Sequence, residues 1–328
     1  MIVAPNWLGD AVMALPAIAD VRSARPDASL AVAARASVAP LFSLVRAPGK
    51  IDDVITLPAR GPFDKLRAGP SPLAGYDTAI LLPNSFHSAM SVARAGVRER
   101  WGYRTDWRGM LLTRAVDRAP SGVHQIDYYQ RLVASLGFAN GPSTPRLEIP
   151  PAVRDAGNTL LRRAGWDGRT PLAAIAPGAA YGSAKRWPPS GFADLAAGLA
   201  DDGVMTVMVG AAADRQTAAE VARELRGRAT LIDVVGQTDI PTLAGVLANC
   251  RALMANDSGA LHLGAALGVK VSAAFGPTDE RLSAPRGATV LTHHTWCRPC
   301  ALRECPLDHA CMLGIPAAEA LAATRKGL

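Results

Sequence analysis

Three short stretches of the sequence combine residue types able to do chemistry. In "APGAAYGSAKRWP" (176–188), Gly178 and Gly182 keep a loop small enough for its backbone to approach a ligand. Lys185 and Arg186 add a compact and a forked cation suited to a diphosphate. In "NDSGALH" (256–262), Asn256, Asp257 and Ser258 are all favoured N-cap types, and Gly259 opens a helix expected over 259–267. The free N–H groups at such a start form an anion site, and His262 lies one turn in, facing the same ligand. In "NWLGDAV" (6–12), Asp10 follows Gly9 in the first turn of a helix. The positive helix end keeps that carboxylate ionised and ready to take a proton from a hydroxyl. Each stretch also has a plainer reading: solvated surface cations, ordinary caps, and a first-turn acid that only stabilises its helix.

Further candidates flank these three. In "MVGAAADRQ" (208–216), Asp214 stands where an acid holds ribose hydroxyls, or it caps the helix that follows. Asn84 and Ser85 of "PNSFHSAM" (83–90) and Arg104 and Arg108 of "RERWGYRTDWRGMLL" (98–112) suit a sugar carrying carboxylates or phosphates. By default they are caps and surface arginines. Cys297, Cys300, Cys305 and Cys311 fall within one short segment, with His293, His294 and His309 near them. Four soft ligands this close could hold a structural zinc, against reduced thiols or redox-labile disulfides, although the spacing is tighter than in a zinc ribbon.

These residues need a scaffold, and the sequence describes one. Apolar runs alternate with helical patterns: "MIVAP", "SLAVAA", "DVITLP" and "DTAILLP", then "LAAIAPG", "VMTVMVG", "LIDVVG", "ALMAND" and "VSAAFG". Amphipathic segments at 191–202, 213–226 and 240–249 lie between the later runs. The pattern predicts parallel α/β layers, and it occurs twice. Prolines around "PRLEIPP" and a helix over 153–164 mark a linker at about 150–168. Residues 58–75 and 47–53 read as loops, and Pro16 should kink the first helix. The expected class is therefore α/β, with two Rossmann-like doubly wound domains facing a central cleft, and ligands at the carboxyl ends of the strands.

Composition narrows the partners. Lys and Arg (35) exceed Asp and Glu (28), which favours anionic ligands. Aromatic residues make up only 5%, and no basic run interleaves with them, so a zinc-containing nucleic-acid binder is a weak alternative and no nucleic-acid partner is expected. No run reaches the ~18 apolar residues of a membrane span. The chain opens on a strand rather than a leader, and five cysteines do not suggest a disulfide framework, so a cytoplasmic location is expected.

With these motifs assembled, the chain resembles the ADP-heptose:lipopolysaccharide heptosyltransferases of glycosyltransferase family 9, most closely the heptosyltransferase II branch. The matching stretches are "NWLGDAVMALPAI", "LLPNSFHSAM", "GYRTDWRG", "HQIDYYQRLV", "PGAAYGSAKRWP", "NDSGALHLGAALG" and "FGPTDERLSAP", spread over residues 6–285 in the family's order. The resemblance implies a GT-B architecture: an acceptor-binding domain over 1–155, an ADP-heptose donor-binding domain over 168–314 and a C-terminal helix over 315–328. It implies inverting transfer of heptose from ADP-L-glycero-β-D-manno-heptose to the heptosylated lipopolysaccharide inner core, with no cofactor required for catalysis. Asp10 matches the family's catalytic base and Lys185 its donor-site lysine. Asp257, Ser258 and Gly259 match its Asp-Ser/Thr-Gly turn, with Asn256 and His262 beside it. Gly178 and Asp214 complete the expected donor set, and Asn84, Ser85, Arg104 and Arg108 the acceptor set. Some members carry a glutamate where this chain has "GAAADRQ". Similar cysteine stretches occur in relatives of heptosyltransferase II without a metal in the catalytic scheme. Peripheral contact with the cytoplasmic face of the inner membrane is a further implied partner. Another nucleotide-sugar enzyme of the same fold, from a different heptosyltransferase branch or an epimerase, is the alternative.

Overall fold

The computed structural model describes residues 1–46, 49–58 and 71–328. The expected loops at 47–53 and 58–75 thus lie partly outside the described residues. The chain divides into two compact units, Met1–Glu148 and Ile149–Leu328.

The first unit holds strands β1 (Ile2–Val3), β2 (Ala31–Arg35), β3 (Asp53–Leu57), β4 (Thr78–Leu81), β5 (Glu99–Tyr103) and β6 (Arg114–Val116). Its helices are α1 (Leu8–Met13), α2 (Leu15–Ala24), α3 (Ala39–Phe42), α4 (Phe86–Arg94) and α5 (Gln125–Ser135). All strand pairings are parallel, in the order β3-β2-β1-β4-β5-β6. The expected kink is a full division of the helix at Ala14, because Pro16 has no N–H to continue the ladder. Buried Asp20 on α2 accepts from Gln130 Nε2 (2.8 Å) on α5 and from the Gly141 N–H (2.7 Å), tying helix to helix under the sheet.

The second unit repeats the plan with β7 (Leu172–Ala176), β8 (Met205–Met208), β9 (Leu231–Asp233), β10 (Ala252–Asn256), β11 (Lys270–Phe275) and β12 (Thr289–Thr292). Its helices are α6 (Pro151–Arg163), α7 (Pro189–Asp201), α8 (Arg215–Leu225), α9 (Ile240–Leu247), α10 (Gly259–Ala266), α11 (Glu280–Ser283), α12 (Ala310–Leu313) and α13 (Ala317–Arg325). The strand order is β12-β11-β10-β7-β8-β9, again all parallel. Every residue of β7 and β10 is buried, as a strand covered by helices on both faces requires. Trp187 and Phe192 meet edge to face at 4.8 Å in this core, and the Trp187 indole N–H donates to Ile315 O, just before α13.

Two boundaries differ from the sequence reading. Residues 149–155 and α6 belong to the second unit, because α6 packs on α9 through facing glycines: a Cβ on Gly157 would collide with the Gly245 backbone. Helix α13 is likewise part of that unit, since Gly198 of α7 lies against its Leu321. We expect Gly157→Val to destabilise the second unit by about 3 kcal/mol, the upper end of overpacking penalties, because backbone rather than a movable side chain occupies the space. Urea unfolding with an unchanged midpoint would refute that close packing.

Candidate active site

Both sheets reverse strand order at their middle, between β1 and β4 and between β7 and β10. The loops that leave such a pair of strands diverge to opposite faces and open a crevice at their carboxyl ends. In the second unit the two loops are 177–186, after β7, and 257–258, before α10.

Lys185 closes the short 3-10 turn Ser183–Lys185, and its ammonium donates to Asp257 Oδ2 at 2.5 Å. Thr278 Oγ1 donates to the same oxygen (2.8 Å), and His262 Nε2 stands 3.9 Å from Oδ1. Side-chain exposures of 12%, 7% and 5% for Lys185, Asp257 and His262 make this a buried charged cluster. Burial alone would push the Asp257 carboxyl up. The nearby His262 imidazole and the charge and hydrogen bond of Lys185 outweigh it and hold the group well below the usual carboxylate range. Ser258 occupies the N-cap position of α10, yet its hydroxyl does not cap the helix. That hydroxyl oxygen is buried without a hydrogen-bond partner, beside the free N–H groups of α10. A cation, an unpartnered hydroxyl and a helix N-terminus thus gather at one sheet edge, the equipment for an oxyanion.

Two residues expected in the donor set are engaged elsewhere. Asn256 is fully buried and spends its amide on scaffolding: Oδ1 accepts from Trp187 N (2.9 Å), while Nδ2 donates to Pro177 O (2.7 Å). It locks the loop after β7 to the end of β10 and leaves nothing for a ligand. Asp214 accepts from Ala211 N (2.9 Å), capping its own turn, and a Cβ on Gly178 would collide with its carboxyl group. Gly178 is therefore required by Asp214, whose carboxyl does not cap α8 and instead closes the turn before that helix. Arg186 sits half-buried with its Nε unpartnered.

In the first unit Asp10 is half-buried in the first turn of α1. Burial, then the charge of Asp10, raises the Tyr129 phenol, which marks Tyr129 as a neighbour of the carboxylate. Asn84 follows β4 and donates to the Tyr128 hydroxyl (2.9 Å), while its Oδ1 is buried without a partner. Ser85 caps α4 by accepting from Ser88 N (3.3 Å). The Arg104 side chain is 63% exposed and stands 3.9 Å from the Asp117 carboxylate. Arg108 departs from the expected acceptor role. It is fully buried and donates to the carbonyls of Tyr103 and Pro83 and to Ser88 Oγ, clamping β4, β5 and α4 together. Burial lowers its guanidinium to about 10, still charged at neutral pH.

The four cysteines carry no disulfide; Cys300 is exposed and the others are half-buried. Burial and then the nearby thiols of Cys297, Cys305 and Cys300 raise Cys311. Among the described residues no group of three or more His, Cys, Asp and Glu side chains is arranged to hold a metal ion. No described helix is long and apolar enough to cross a membrane. The sequence reading missed Thr278 and Tyr181. The first lies in the quoted "FGPTDERLSAP" and the second in "PGAAYGSAKRWP", so the signal was position within a motif.

Two doubly wound parallel sheets of this kind are the GT-B architecture. The family model for glycosyltransferase family 9 (heptosyltransferase) matches residues 73–311, and the chain belongs to that family. It is 28% identical to lipopolysaccharide heptosyltransferase 2 of Escherichia coli K12, over 87% of this chain and 84% of the relative. It is 30% identical to lipooligosaccharide heptosyltransferase 2 of Haemophilus influenzae Rd, over 87% and 85%. The solved structure of E. coli ADP-heptose lipopolysaccharide heptosyltransferase II superposes with a TM-score of 0.80 at 26% identity, covering 99% of this chain and 97% of that one.

Removing the cation from the buried pair should cost more than the pair contributes, since Asp257 is left charged and desolvated. We expect Lys185→Met to lower stability by about 3–5 kcal/mol at about pH 7. The Asp257 contribution in the wild type is present above 3.8, the ordinary carboxylate value, and is lost as pH falls through the depressed folded value. The variant's carboxyl titrates higher, so its deficit should shrink as pH is lowered from about 7 to about 4. A deficit that is constant with pH in urea titrations would show that the pair is not buried as described.

Proposed function

We propose that this chain transfers heptose from ADP-L-glycero-β-D-manno-heptose to the heptosylated inner core of lipopolysaccharide, with inversion at the anomeric carbon. The observation that carries the donor half is the α10 N-terminus, where Lys185, Asp257 and the unpartnered Ser258 hydroxyl meet. The acceptor half rests on Asp10, the half-buried acid in the first turn of α1. The relatives named above, which are lipopolysaccharide and lipooligosaccharide heptosyltransferases, support both halves.

In this reading the acceptor hydroxyl oxygen attacks the anomeric carbon while the bond from that carbon to the β-phosphate oxygen breaks. The hydroxyl proton passes to Asp10, and the electron pair of the broken bond leaves with ADP. Negative charge grows on the departing phosphate, where Lys185 and the N–H groups of α10 are already oriented, so little reorganisation accompanies the step. Asp257 fixes the Lys185 ammonium and presents its remaining oxygen lone pairs toward sugar hydroxyls. The acceptor sits against the first unit, with Asn84 and Arg104 as its contacts, and its lipid-anchored core brings the enzyme to the cytoplasmic face of the inner membrane.

Asp10→Asn should leave ADP affinity nearly intact and lower turnover roughly 100-fold or more, as loss of a general base does; turnover near wild type would remove Asp10 from that role. A donor screen with ADP-, UDP- and GDP-sugars on heptosylated inner-core acceptor should give product with ADP-heptose alone, and preference for another nucleotide would overturn the donor reading. Turnover should persist in excess chelator, because the chain's own groups meet the leaving-group charge. A chelator-induced loss restored by a divalent metal would contradict this.

A further inference from the structure

The cysteine-bearing segment 297–311 has no part in the reading above, yet it is bound to the turn that carries Lys185. Ala184 N donates to Arg303 O (3.0 Å), and the Tyr181 hydroxyl donates to Ala301 O (2.7 Å). Gly182 lies so close to the Arg303 carbonyl that a Cβ there would overlap it. The segment is also anchored to the loop after β11: Ala301 N donates to Pro277 O (2.7 Å), and Arg298 donates to Gly276 O (2.8 Å) and Glu280 (2.6 Å). The backbone of residue 303 is thereby fixed beside the diphosphate loop by hydrogen bonds on two sides.

Its side chain completes the picture. The Tyr181 ring carries two cations, Lys185 Nζ at 4.6 Å from its centroid and the Arg303 guanidinium carbon at 5.2 Å. Asp257 already neutralises Lys185. Arg303 is exposed and forms no ion pair among the described residues, so its contact is the ring alone. A cation–π contact holds a guanidinium in place while its N–H fork stays open to a planar or tetrahedral anion. A diphosphate carries more negative charge than the Lys185 ammonium, itself shared with a carboxylate, can match alone, and Arg303 adds to the cations of this loop, Lys185 and Arg186.

We propose that Arg303 is a donor-binding residue of this site, its guanidinium taking phosphate oxygens of the nucleoside diphosphate with Tyr181 as a platform shared with Lys185. The inference rests on the donor reading above and adds to it a residue from a segment otherwise notable only for its cysteines. The Arg303 carbonyl, which supports the turn, survives any substitution of the side chain.

The test is calorimetric titration of ADP into the full-length wild type, Arg303→Ala and Arg303→Lys, with thermal unfolding of each. Arg303→Ala should bind ADP about tenfold more weakly, the loss expected for one charge-assisted contact, at an unchanged melting temperature. Arg303→Lys should recover part of the affinity. Equal ADP affinity in wild type and Arg303→Ala would overturn the role of Arg303 and leave the donor reading standing. A wild type that binds UDP but not ADP would overturn the donor reading and this inference with it. A lowered melting temperature with equally weak binding in Arg303→Lys would assign the effect to a disturbed turn and reject the phosphate contact.

Discussion

Parallel strands whose order reverses in mid-sheet impose the constraint on which the site depends. At the reversal the two central strands send their following segments to opposite faces, so no helix covers the gap at their carboxyl ends. Both units are built this way, around β1/β4 and β7/β10. Asp10 and Asn84 follow the first pair, and the Lys185 turn and Asp257 follow the second. The candidate residues of each unit are far apart in sequence because a crossover helix and further strands separate the members of each pair.

At the end of β10 the chain assigns consecutive residues opposite duties. Asn256 is fully buried and ties β10 to the loop after β7 through the Trp187 N–H and Pro177 carbonyl. Asp257, one residue on, is held charged by Lys185, Thr278 and His262. A desolvated carboxylate persists only when cationic and hydrogen-bonding partners surround it. The rigid amide lock beneath keeps those partners in place, so the structural and chemical parts of the site are adjacent links of one backbone.

The first unit uses a buried cation differently. Arg108 lies under the 104–112 loop with donors on the Tyr103 and Pro83 carbonyls and Ser88 Oγ, and Asp106 accepts from the Phe86 N–H at the start of α4. The pair fixes how α4 and the loop after β5 meet, while Arg104, four residues earlier, stays exposed. Identical residue types in one motif therefore separate into a buried clamp and an exposed cation.

The sequence by itself determined the class of fold and named the two stretches that meet in the Lys185–Asp257 pair. Buried parallel strands are continuous apolar runs, so nine of the strands and the doubling of the pattern were legible, as was the helix break at Pro16. Lys185 and Asp257 were legible because motif position carries residue type and backbone shape together. Strands β5, β6 and β12 were not, since "ERWGY", "RAV" and "TVLT" lie toward sheet margins and carry no buried apolar run. Tertiary structure alone decided which polar side chains are spent on intramolecular bonds. Asn256 and Arg108, expected at ligands, are spent on tying strand ends and loops together, and Asp214 closes its own turn against Gly178 without capping α8. The physical reason is that a buried polar group is stable when it finds partners: those of Asn256, and Pro83 for Arg108, come near only when distant strands pair, while Asp214 finds its partner three residues away in its own turn.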